Sequence, residues 1–186
     1  MPDLNGKKIA FLVAPEGIEQ IELTQPWKAV RQAGGEPVLI STQAGAVQAM
    51  NHLDKADTFP VDVVVSDASV SEYAALVLPG GVANPDALRT SRAAVTFVQQ
   101  FAASVRPIAA ICHAPWTLVE VGMLPGRRLT SWPSLQTDLR NAGAEWVDEE
   151  VVVDLAGPGP LITSRNPDDL EAFTEALLEA ISTTPY

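Results

Sequence analysis

The fold of this chain turns on residues 107–118, Pro107-Ile108-Ala109-Ala110-Ile111-Cys112-His113-Ala114-Pro115-Trp116-Thr117-Leu118. The first five residues are an unbroken apolar run, as expected of a strand covered on both faces. From Ala114 onward the chain reads as a helix with proline in its first turn, where the missing N–H costs little. Cys112 is the only cysteine and His113 one of two histidines, and both fall on the junction. A cysteine on such a turn is held clear of the sheet. Backbone N–H groups and the positive helix end then face it and favour its thiolate. That posture suits a nucleophile and supplies donors for an oxyanion. The competing reading is a small buried apolar cysteine.

Working outward, strands and helices alternate. Ile9-Ala10-Phe11-Leu12-Val13 is a second apolar run, followed by Leu23, Trp27 and Val30 at helical spacing and a stop at Gly34-Gly35. Pro37 to Ser41 and Ala75 to Leu78 are further strands. A helix is predicted with Val95, Val98, Ala102 and Val105 on its buried face. Gln43 to Asp57 reads as loop plus a strand pair, Glu145 to Asp154 as an antiparallel ribbon, and Leu161 to Ser164 as a last strand. Asn166-Pro167-Asp168-Asp169 opens a final helix with Leu170, Phe173, Leu177 and Ile181 as its buried stripe. This order predicts one α/β domain over residues 1–186, an open, mostly parallel sheet with helices on both faces. In such folds sites lie at the carboxyl ends of the strands, where the loops Ala14–Gln20, Pro79–Pro85 and Cys112–Pro115 converge.

The 186 residues are 47% hydrophobic, which excludes a disordered acidic chain. Twelve basic against 23 acidic residues give a net charge of −11, with basic residues adjacent only in pairs, as at Arg127-Arg128, so no nucleic-acid partner is expected. A lone cysteine allows no intramolecular disulfide. With no signal-peptide pattern and no apolar stretch of membrane-spanning length, a soluble cytoplasmic protein with no membrane partner is expected.

The first loop carries Glu16, Glu19 and Glu22; the last two are three residues apart and share a helix face. A carboxylate there can orient a thiol or hold its proton, or can simply complement a helix end. Gly80 and Gly81 allow a sharp turn and expose amides, as an oxyanion hole or a plain turn. No dinucleotide or nucleotide-phosphate glycine motif occurs, and two histidines with one cysteine offer no metal cluster, so neither cofactor nor metal is expected. His52 reads as surface. Trp27, Trp116 and Trp132 read as core or as pocket wall.

The chain resembles the ThiJ/PfpI superfamily, its PfpI branch in particular, from about Lys8 to Ile181. The resemblance rests on Glu19-Gln20-Ile21-Glu22-Leu23, Leu76-Val77-Leu78-Pro79-Gly80-Gly81 and Ala109 to Pro115, with Gly126 to Pro133 and Asn141 to Asp148 in support. It implies a flavodoxin-like three-layer sandwich related to class I glutamine amidotransferases. It also implies a nucleophile-elbow Cys112 beside His113, with Glu19 or Glu22 bonded to the thiol. Asp86 would reach the histidine across a homodimer or larger ring. Trp132 stands where relatives often carry a tyrosine, and Ala114 where they carry glycine. The oxyanion and substrate contacts fall to Gly80, Gly81, Ala114 and Trp132. The reactions implied are peptide or amide hydrolysis, cofactor-free conversion of methylglyoxal to lactate, and removal of early glycation adducts, on a small-molecule or peptide substrate. The alternative is a non-enzymatic oxidation sensor or holdase using Cys112. No histidine follows His113, so the His-x-acid pair of a true glutaminase is missing.

Overall fold

The computed structural model describes residues 2–185. In chain order, β1 (Lys8–Val13) leads through a short β2 (Glu16–Glu19) into α1 (Gln20–Gln32) and β3 (Glu36–Ser41). A hairpin follows, β4 (Ala46–Asn51) and β5 (Asp54–Pro60), then β6 (Val63–Val64), β7 (Ala75–Leu78), α2 (Ala83–Thr90), α3 (Arg92–Ala102) and β8 (Ile108–Ile111). The rest is α4 (Pro115–Val121), β9 (Arg128–Leu129), α5 (Gln136–Asn141), β10 (Glu145–Trp146), β11 (Val151–Asp154), β12 (Leu161–Ser164) and α6 (Leu170–Thr183).

The central sheet runs β11-β12-β8-β7-β1-β3-β6. Its pairs are parallel except the edge pair β11–β12. Alternate residues of each inner strand feed two separate cores. Ala10, Leu12, Leu76, Leu78, Ile108 and Ala110 pack with Leu88, Phe97, Phe101, Leu118 and Leu139 of α2 to α5. Ile9, Phe11, Val77, Ala109 and Ile111 pack with Leu23 and Val30 of α1 and with Phe173, Leu177 and Ile181 of α6. Each fully buried side chain of this size contributes roughly 1.5–3 kcal/mol, so both helical layers are held by the same strands. This is the flavodoxin-like α/β sandwich expected, and the stripe of α6 is buried as the spacing predicts.

Three local readings need correction. The loop after Val13 contains a strand, β2, which joins β4 and β5 in a separate small sheet. The buried face of α3 is Ala94, Phe97, Val98 and Phe101, because the helix ends at Ala102 and leaves Val105 exposed. The Glu145–Asp154 ribbon is two strands in different sheets: β10 pairs β9 in parallel, and β11 pairs β12. Asn166 does cap, but it caps a 3-10 turn before α6 by accepting from Asp168 N–H. The basic pair is consumed by acids: Arg127 is buried against Asp154, and Arg128 pairs with Glu145 and Glu149.

The strand order reverses direction between β1 and β7. A crevice forms at such a switch point because the following loops leave in opposite senses. The turns after β1, β7 and β8 all open there.

Candidate active site

Cys112 takes the left-handed conformation, φ 62°, directly after β8. For a non-glycine residue that costs roughly 1–2 kcal/mol. The surroundings hold it there. Its N–H donates to Ser164 O at 3.1 Å, and its carbonyl accepts from Trp132 N–H at 2.9 Å. The turn is closed by Ala114 N–H on Ile111 O, and Pro115 stands at the first position of α4. The strand end therefore turns the side chain out of the sheet and into a cavity of about 450 Å³.

The thiol meets three kinds of group. His113 Nδ1 lies 3.1 Å from Sγ. The backbone N–H groups of Gly81 and His113 face the sulfur and favour its anion. Glu22, from the first turn of α1, packs beside it as a completely buried carboxyl. Glu22 Oε2 accepts from Gly80 N–H at 2.7 Å. Its Oε1 is buried without a well-formed hydrogen bond among the described residues. Burial raises the Glu22 carboxyl to about 8, with Glu19 adding like-charge repulsion. Burial pushes the Cys112 thiol above its ordinary range, and Glu22 pushes it further once that carboxyl ionises. Burial also lowers His113 to about 4, so its ring is neutral at neutral pH.

The glycine turn after β7 is fixed by close approach. A Cβ on Gly80 would sit 2.6 Å from Cys112 Cβ and collide with Glu22 Oε2. Gly81, at φ 80°, would drive a Cβ into Gly17 O. Two of the expected oxyanion donors are already engaged: Gly80 N–H is held by Glu22, and Ala114 N–H by Ile111 O. The amides that reach the sulfur are those of Gly81 and His113.

Of the remaining expected residues, Glu19 lines the cavity from the N-cap position of α1. Its carboxylate accepts from His52 N–H at 3.0 Å rather than capping the helix. Trp132 stacks on His113, ring centroids 5.4 Å apart at 23°, and forms a wall. Trp116 packs edge-on against His113, ring centroids 5.3 Å apart. Trp27 lies elsewhere, against Phe11. Asp86 is exposed on α2 and does not line the cavity.

Two features escaped the sequence reading. Asn84, wholly buried, accepts from Ala14 N–H at 2.7 Å and donates to Pro79 O and Gly80 O, tying the end of β1 to the glycine turn. Asparagine beside Pro85 reads as a turn former, so nothing in the sequence signals that burial. The tip of the β4–β5 hairpin also lines the cavity with Met50, His52, Leu53 and Lys55. His52 is exposed as expected, yet it stands at the mouth.

A protein-family comparison matches residues 7–180 to the DJ-1/PfpI family. The chain is 40% identical over 175 residues to the Escherichia coli K12 protein named protein/nucleic acid deglycase 2, covering 94% of this chain and 98% of that one. It is 39% identical over 177 residues to general stress protein 18 of Bacillus subtilis, covering 94% and 99%. The solved structure of Drosophila melanogaster DJ-1beta superposes with a TM-score of 0.83 at 27% identity, covering 96% of this chain and 91% of that one. Fold and sequence agree, and the chain belongs to the DJ-1/PfpI family.

Proposed function

We infer that the chain is a cysteine-dependent enzyme acting on reactive carbonyl compounds, with amide or peptide hydrolysis the nearest other reaction of the same machinery. One observation carries this reading: Cys112 is held at φ 62° on the cavity floor, its sulfur facing two backbone amides, His113 and Glu22. Kinship with a protein named deglycase favours carbonyl adducts.

In this reading the thiol adds across a C=O group. The S–C bond forms, the π electrons move to oxygen, and the thiol proton ends on that oxygen. Neutral His113, with Nδ1 at 3.1 Å, takes the proton as sulfur attacks and returns it. Glu22, protonated at neutral pH, donates to the emerging thiolate and places no charge beside it. The Gly81 and His113 amides steady the negative charge. Glu19, on the wall, is placed to move a proton between adduct carbons. Trp132 holds the His113 ring. The scheme calls for no cofactor. Asp86, outside the cavity, acts only in a homodimer, where one copy would offer it to the other's histidine.

Replacing Cys112 with serine is expected to lower turnover of methylglyoxal, or of a peptide reporter, by at least roughly a hundredfold. Full turnover of both by the variant overturns the nucleophile. A second reading, oxidation sensing, is favoured by the donors around the sulfur, which suit the oxygens of a sulfinate. Peroxide modification of Cys112 by mass spectrometry, with no turnover of any carbonyl or amide, would select it.

A further inference from the structure

The small sheet places three side chains in one row. Glu19 on β2 is the register partner of Met50 on β4, and Met50 is the register partner of Lys55 on β5. Residues directly opposite one another share a sheet face. All three line the cavity that holds Cys112. Strands lie about 4.7–4.9 Å apart, so Lys55 stands roughly 10 Å from Glu19 at the backbone, and its four-carbon stem spans part of that gap. The wall therefore runs from an acid near the thiol, through an apolar thioether, to an ammonium at the rim. The ion pairs of the described residues leave Lys55 out.

The cavity is also large for a three-carbon dicarbonyl. Its 450 Å³ falls within the roughly 300–1,000 Å³ range of pockets that hold drug-sized ligands. A substrate of five heavy atoms leaves most of it empty, including the stretch along Met50.

The geometry points to Lys55 as a specificity-determining residue that binds an anionic group of the substrate, a carboxylate or phosphate, set a short aliphatic chain from the carbonyl that Cys112 attacks. This rests on the carbonyl reading above for its chemistry, though the anion subsite is testable without it. The background field opposes anions: Glu16 and Glu19 line the same cavity, and the chain carries −11 overall. A preference for an anionic substrate must then come from a local cation.

Two matched pairs test it. The first is 4,5-dioxopentanoate against its methyl ester as substrates, read as the ratio of kcat/KM. The second is 4-maleimidobutyrate against its methyl ester as alkylating agents, read as the ratio of labelling rates; Cys112 is the only cysteine, so labelling reports this site alone. In the unaltered protein both ratios are expected to favour the acid by roughly three- to tenfold. Lys55→Met brings them to one or below, Lys55→Arg retains the preference, and Lys55→Glu inverts it. A phosphonate in place of the carboxylate distinguishes the two anion classes. Acid and ester handled alike by the unaltered protein, or ratios unmoved in Lys55→Met, overturn the proposal. An acid preference in labelling that depends on Lys55, with no dicarbonyl turnover, removes the carbonyl reading and leaves the anion subsite standing.

Discussion

Glu22 sets the pH behaviour of the site. Its carboxyl, moved from 4.5 to about 8 mainly by burial, keeps its proton in the folded chain while the unfolded chain has released it. Below pH 4.5 both states are protonated and the group costs nothing. Between 4.5 and 8 the unfolded state is increasingly favoured, so this contribution is lost as pH rises through the folded value and is flat beyond it. Glu22→Gln keeps an oxygen for Gly80 N–H and removes the ionisation. The variant is expected to match the parent near pH 4 and to exceed it by a few kcal/mol, several degrees in Tm, at pH 8. Thermal melts across that range check it, and a pH-independent difference would contradict the assignment. Cys112, His113 and the acid pair were legible because rare reactive types fell at a strand end and in the facing loop. The donors were not. Which amides point at the sulfur depends on the left-handed turn at Cys112 and on Glu22 occupying Gly80 N–H, and neither is encoded in residue type.

At the scale of elements, the site is an agreement between turns. Asn84, at the start of α2, binds the end of β1 and the carbonyls of Pro79 and Gly80, so the amide of Gly81 is in register with Cys112 through it. Asn84→Ala leaves a buried N–H and two carbonyls unpaired. A loss of roughly 2–4 kcal/mol in denaturant unfolding is expected, with a fall in turnover from a loosened glycine turn. Lost stability with unchanged kcat would make Asn84 a purely structural clamp. Apolar runs gave away β1, β7 and β8, and the 3.6-residue period gave away α1 and α6. β2 was hidden because its four residues, Glu16-Gly17-Ile18-Glu19, carry two acids and a glycine and are paired by tertiary register rather than by propensity. The face of α3 was misplaced because its large core residues are Phe97 and Phe101, while Val95 and Val105 on either side of them suggested a different stripe.

Over the whole molecule, charge is the least balanced quantity. With 23 acids against 12 bases, the folded chain repels itself, and how strongly depends on screening. The Debye length is about 30 Å at 0.01 M salt and about 8 Å at 0.15 M, against a radius of gyration of about 16 Å expected for a chain of this length. At low salt every acid feels every other; near physiological salt only neighbours interact. Salt also weakens the exposed pairs that Arg128 makes with Glu145 and Glu149 and Arg89 with Glu120, each worth about 0–1 kcal/mol at most. The pair of Arg127 with Asp154 is buried and screened little. The excess of eleven negative charges outweighs those few surface pairs, so raising sodium chloride from 0.01 to 0.15 M is expected to increase Tm by a few degrees at pH 7.5. Lowering the pH to 5.5 should shrink that increase as acids begin to bind protons and the net charge falls. A Tm that drops with salt at pH 7.5 would mean the surface ion pairs, and not the acid excess, govern the stability of the fold.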